Sequence, residues 1–210
     1  MRRYRCELTA MYASTSTLQA PDASDYHGRA FLYVLVASGP EDLAKIGLTH
    51  DPLMRWSGFH PRWFEAFDLD HSLLVETESR ADAQGLETGL HRALAAHQCP
   101  MPNTMRLAAG GRTEWYRGAY WALRRHVQRQ ADAGHVVHWQ ARKWLSAAMR
   151  RQRDQLFETL HMAHADHHAG WLSAAQRRAL HDLHDAHRVF DCGMSRLLST
   201  ELIEDLGLSR

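Results

Sequence analysis

Seven uncharged residues, Phe31-Leu32-Tyr33-Val34-Leu35-Val36-Ala37, form an unbroken apolar run rich in β-branched and aromatic side chains. Such a run is short for a helix and suits a buried strand. Ser38-Gly39-Pro40-Glu41-Asp42 follows as turn material, and Leu43–Thr49 is a second apolar segment. Two strands separated by a turn that short predict an antiparallel hairpin. Asp51-Pro52 then starts a helix, because aspartate caps free N–H groups and proline fits the first helical position. That helix carries Arg55 and is expected to stop near Gly58.

Phe67–Glu76 alternates as a third strand, and Ser79-Arg80-Ala81-Asp82 resembles a capping box. The helix it opens aligns Leu86, Leu90 and Leu94, with Glu87 and His91 beside them, one turn apart on a common face. Residues 99–111 read as loop, with Pro100, Pro102 and Gly110-Gly111. Beyond Glu114-Trp115-Tyr116 the pattern is helical, broken near Gly134, Gly170 and Gly193, with a second cap at Ser173–Gln176. The expected class is α+β: a small three-stranded antiparallel sheet flanked by helices, then an all-helical extension. The expected divisions are a partly ordered N-terminal arm at 1–28, a core at 29–118, and an extension at 119–210.

No apolar run approaches the ~20 residues that span a bilayer, and the N-terminus lacks an uninterrupted apolar stretch of secretory type. Cys6, Cys99 and Cys192 are far apart and odd in number, which argues for a reducing, cytoplasmic setting. The net charge of +1 hides segregation. Residues 1–116 carry 11 basic and 14 acidic side chains, residues 117–153 carry 9 and 1, and residues 154–210 carry 5 and 9. The middle segment is a candidate polyanion surface.

Tyr33, Lys45, Arg55 and Glu87 supply a phenol, an ammonium, a guanidinium and a carboxylate from the hairpin and the two helices after it. Lys45 is one of only two lysines; every other cation is arginine. Phosphodiester hydrolysis needs such a set: an oxygen ligand for a divalent cation, a cation for the developing phosphate charge, and a group that handles water.

The layout resembles the GIY-YIG nuclease superfamily, in its phage-type branch whose second motif reads Lys-Ile-Gly. Leu32-Tyr33-Val34 stands for a degenerate first motif, and Lys45-Ile46-Gly47 follows twelve residues after Tyr33. Arg55 comes eight residues after Gly47; Leu86-Glu87, Leu90-His91 and Glu114-Trp115-Tyr116 resemble the later signatures. The match covers roughly residues 29–116. It implies that Glu87 binds Mg²⁺ or Mn²⁺, that Arg55 holds the scissile phosphate, and that Tyr33 orients or deprotonates water. It also implies that Lys45, replacing the commoner tyrosine, polarises water or contacts the phosphate, with His91 sharing the proton transfer. Trp115 and Tyr116 read as core closure, and Glu114 as a further carboxylate near the site.

Arg117, Arg124, Arg125, Arg129, Arg142, Lys143, Arg150 and Arg151 are the expected DNA contacts, interleaved with Trp121, Trp139 and Trp144. The last third, His-rich over 154–190, offers a further metal. If Gly170 reverses the chain between two helices, His161 and His164 approach His181 and His184 and could take Zn²⁺. Two other readings stay open: a nucleic-acid-binding module of the same fold with weak or no catalysis, and a histidine-rich metal-binding scaffold.

Overall fold

β1 (Ala30–Ala37) lies inside the sheet, with its first six residues buried. This two-sided burial is why its sequence reads as a continuous apolar run rather than an alternation. It pairs antiparallel with β2 (Leu43–Thr49) on one side and with β3 (Phe67–Thr77) on the other. The computed structural model describes residues 29–106, 111–193 and 197–208. The expected N-terminal arm, and Gly110, lie outside them.

Strand extent departs from expectation. The sheet has six strands in the order β4-β5-β2-β1-β3-β6, all antiparallel, where three were expected. The additions are β4 (Gln98–Cys99), β5 (Trp115–Arg117) and β6 (Val137–His138). At two or three residues each, they are too short to display a period-2 pattern. The pairing of β1 with β3 slips between Val34 and Val36, where the buried Ser72 hydroxyl accepts from Val36 N–H at 3.0 Å. That side-chain bond satisfies a donor the irregularity would otherwise orphan.

The described residues form eight α-helices. Asp51 caps α1 (Pro52–Ser57), accepting from Met54 N–H at 3.0 Å, and the helix ends before Gly58. α2 (Trp63–Ala66) leads into β3. α3 (Arg80–Ala93) is capped by Ser79. Its buried positions are Ala83, Glu87 and Leu90, so Glu87 sits inside the apolar stripe rather than beside it. α4 (Tyr120–Asp132) buries Leu123 and Val127.

Sheet register sorts the interior into two faces. Leu32, Val34, Ala44, Ile46, Leu73 and Val75 pack with Leu90 of α3, Tyr116 and Leu123 of α4. Directly paired residues project to the same side of a sheet. Tyr33 opposite Gly47, Leu35 opposite Lys45, and Lys45 opposite Trp115 therefore share the other face.

The chain divides into two compact units between Leu145 and Ser146, inside α5 (Ala141–Arg151). The sheet unit thus continues past 118, where the core was expected to end, because α4 packs into its core and β6 pairs with β3. The strand β6 also interrupts what had read as an all-helical extension. The second unit holds α6 (Arg153–His168), α7 (Ala174–Val189) and α8 (Thr200–Leu206). A full capping box, Ser173 with Gln176, starts α7. Leu156, Leu160, Leu180, Leu202, Ile203 and Leu206 form the shared core of these helices.

Candidate functional site

Lys45 is 0% exposed. Its Nζ donates to Glu114 Oε2 at 2.5 Å and to the Gly111 carbonyl at 3.0 Å. The Phe59 ring centroid stands 5.3 Å from the ammonium. Burial lowers the Lys45 pKa, and the hydrogen bond with Glu114 opposes that shift. β5 creates the pair: Ile46 N–H bonds to the Glu114 carbonyl at 3.0 Å, and Lys45 lies opposite Trp115. Gly111 is required there twice over. Its φ is +66°, and a Cβ would collide with both Lys45 Nζ and the Glu114 carboxylate.

Tyr33 is buried across from Gly47, where an added Cβ would stand 2.5 Å from the phenol Cζ. The glycine of Lys-Ile-Gly therefore makes room for the tyrosine ring. Trp56 meets that ring edge-on, with centroids 5.9 Å apart. Burial pushes the Tyr33 pKa far above the ordinary tyrosine value, while the Arg55 guanidinium beside the hydroxyl pulls it down. The hydroxyl and guanidinium fall short of a well-formed hydrogen bond. Arg55 itself lies over the Phe59 ring, 4.8 Å from its centroid.

Glu87, His91, Glu114 and Tyr116 line a cleft of about 520 Å³ with Thr88 and Gln98 among its walls. Gln84 donates to Glu87 Oε2 at 2.7 Å, and His91 Nε2 stands 3.8 Å from Glu87 Oε1. His91 Nδ1 lies 2.5 Å from the Tyr116 hydroxyl, and the two rings stack with centroids 5.7 Å apart. The Tyr116 pKa is raised by burial and by the nearby Glu114 and Glu87 charges.

Of the expected set, Glu87 and His91 line this cleft; Tyr33, Lys45 and Arg55 are not among its lining residues. Glu114 joins the two groups, since it lines the cleft and also takes the Lys45 ammonium. The charges of Arg55, Glu87 and Glu114 reach both Tyr33 and Lys45. Sequence reading missed two parts. Gly111 looked like ordinary loop, and Tyr116 looked like core closure although it also holds His91. A glycine three residues before Glu114-Trp115-Tyr116 was the available signal in the sequence.

The expected DNA contacts fall in both units. Arg117 pairs with Glu41 at 3.0 Å, Arg142 pairs with Asp70 at 2.9 Å, and Arg124 lies over Trp139 at 5.2 Å. Arg125, Arg129 and Lys143 are exposed in the sheet unit, and Arg150 and Arg151 are exposed in the helical unit. Tyr120, Trp121 and Arg124 line a second cleft of about 530 Å³, together with Glu41 and Asp42.

The four histidines expected to share a metal do not converge. His161 packs against Phe157, with ring centroids 4.3 Å apart, and His181 Nε2 bonds to the Leu206 carbonyl at 2.8 Å. His184 is buried among the helices, and burial lowers its pKa. Only His164 stands among metal-competent neighbours.

Among the described residues no helix is long and apolar enough to cross a membrane. Comparison with protein-family models, curated proteins and solved structures returned no match.

Proposed function

We propose that the sheet unit is a divalent-metal-dependent nuclease of the GIY-YIG kind, hydrolysing phosphodiester bonds in DNA. The observation that carries this reading is Glu87. A carboxylate occupies the buried stripe of α3 between Ala83 and Leu90, and it opens on a cleft shared with His91 and Glu114. Glutamate is seldom buried unless paired, and this one, held by Gln84, still lines the cleft beside His91 and Glu114.

The residues fit a Mg²⁺ or Mn²⁺ ion. Glu87 Oε2 is engaged by Gln84, Oε1 faces His91, and Glu114 adds a second carboxylate to the cleft. Mg²⁺ is commonly held by one or two carboxylates, with waters and substrate phosphate completing its shell. Such an ion would neutralise phosphate charge and acidify bound water. In this reading His91 handles the proton: with Nδ1–H donated to Tyr116, Nε2 keeps a lone pair on the Glu87 side. Arg55, whose charge reaches the buried Tyr33 hydroxyl, offsets phosphate charge. Lys45, already bonded to Glu114 and Gly111, positions Glu114 rather than touching substrate.

Burial of Tyr33 and Lys45 favours a second reading, a nucleic-acid-binding module of the same fold without hydrolysis. Nicking of supercoiled plasmid separates them. Wild-type protein with Mg²⁺ is expected to nick, and Glu87→Gln to lower the rate by ~10² or more while DNA retention persists. A plasmid left intact by wild type with both Mg²⁺ and Mn²⁺ overturns the enzyme reading. If about six phosphates are engaged, affinity should fall ~10³ between 50 and 200 mM salt.

A further inference from the structure

We infer that the helical unit carries a transition-metal site of its own, formed by His164 and His168 of α6 and Asp205 of α8, and that it takes Zn²⁺. The two histidines are one turn apart, so both imidazoles rise from one face of α6. Asp205 arrives from α8, 41 residues after His164.

The donor atoms form a nearly equilateral triangle. His164 Nε2 is 2.9 Å from Asp205 Oδ2, His168 Nε2 is 3.2 Å from the same oxygen, and the two nitrogens are 3.1 Å apart. Ligands bound about 2.1 Å from zinc, at angles between octahedral and tetrahedral, stand about 3.0–3.4 Å from one another. The triangle therefore has the dimensions of three ligands on one ion.

Protons alone satisfy this arrangement poorly. If both Nε2 atoms carry hydrogen and donate to Asp205, two donors confront each other across 3.1 Å. If His168 Nε2 accepts from His164 instead, its lone pair faces the carboxylate oxygen. A cation capping one face of the triangle meets all three lone pairs together. Two imidazole nitrogens and one carboxylate oxygen suit a borderline ion such as zinc rather than Mg²⁺ or Ca²⁺.

The surroundings hold the ligands in place. Arg177 of α7 donates to the Asp205 carbonyl at 2.9 Å and reaches His167 Nδ1 at 2.8 Å. His181 bonds to the Leu206 carbonyl, so a second α7 side chain secures the end of α8. The His168 side chain is 57% exposed, leaving an open side for water to complete the shell. The segment 154–210, with 5 basic and 9 acidic side chains, supplies a field that favours a cation. The site lies within the helical unit and does not depend on the nuclease reading.

The test is calorimetric titration of chelator-treated, tag-free full-length protein with ZnCl₂, repeated with CoCl₂ while visible absorption is followed. One equivalent of Zn²⁺ should bind, Co²⁺ should give a d–d spectrum, and the helical melting temperature should rise with Zn²⁺. His168→Ala and Asp205→Asn should each weaken binding at least ~100-fold, more than loss of a residue that merely orients a ligand. His161→Ala should leave it within about twofold, since that residue packs against Phe157 and neither binds the ion nor holds a ligand. His168 is exposed, so its removal spares the core, and circular dichroism verifies folding. Absence of stoichiometric binding overturns the inference. So does binding that survives His168→Ala, or that falls equally in the His161→Ala variant.

Discussion

The sheet unit and the helical unit each bring a distant acid to a cluster of basic groups, and they do so in different solvents. In the sheet unit Glu114 meets Lys45 from 69 residues away, and the ammonium is fully buried. In the helical unit Asp205 meets His164 and His168 near the surface, where His168 remains largely exposed. A charge buried by strand register depends on its partner, because no water stands in when that partner is lost. A charge on a helix surface keeps water as an alternative.

The largest expected effect breaks that contrast directly. Glu114→Ala should cost about 3 kcal/mol in urea denaturation, because Lys45 is left buried and unpaired. Asp205→Ala, in metal-free protein, should cost distinctly less, because water replaces the lost partner. Lys45→Met combined with Glu114→Gln should recover most of the loss. Equal costs at Glu114 and Asp205 would remove the distinction.

A second measurement separates the units by pH. His187 is buried in α7, and burial, with the neighbouring His184, lowers its pKa to about 4. The unfolded chain protonates that imidazole near pH 6.5, so the unfolded state binds more protons between the two values. The neutral buried histidine is then fully accommodated above pH 6.5, and stability falls as pH drops from about 6.5 to 4. The helical unit should lose about 2–3 kcal/mol across that window, and His187→Leu should flatten the profile.

Glycines sharpen the contrast at smaller scale. Gly111 and Gly170 have φ of +66° and +73°, but nothing lies within 4 Å of a Cβ added at Gly170. Gly170→Ala should therefore cost about 1 kcal/mol of backbone strain. Gly111→Ala should cost about 2 kcal/mol or more, because its methyl also separates Lys45 from Glu114. The smallest effect is expected at the exposed Arg125, where Arg125→Ala should reduce the log–log salt slope of DNA binding by about one phosphate contact.

Local signals were readable along the chain. The run Phe31–Ala37 is a strand, Asp51-Pro52 opens a helix, and Ser79 and Ser173 are caps, because each depends on neighbours within a few residues. The Glu87–His91 pair was readable for the same reason, being one helical turn. β5 was not, since three residues become a strand only when β2 offers its edge. Nor was Asp205 as the partner of His164 and His168: it joins them only when α8 folds back.

What the amino-acid order determined by itself was the longer, locally signalled elements and the inventory of chemistry: a hairpin, a capped helix bearing Arg55, a helix bearing Glu87 and His91, and a histidine-rich tail. Tertiary structure alone decided the company those groups keep. It sent Lys45 to the dry face of the sheet beside Glu114, gave His91 to Tyr116, and replaced the expected four-histidine cluster with His164, His168 and Asp205. The physical reason is range. Capping and periodicity act over a turn or two, whereas partnership among charges depends on strand register and helix return, which are settled only when the whole core packs.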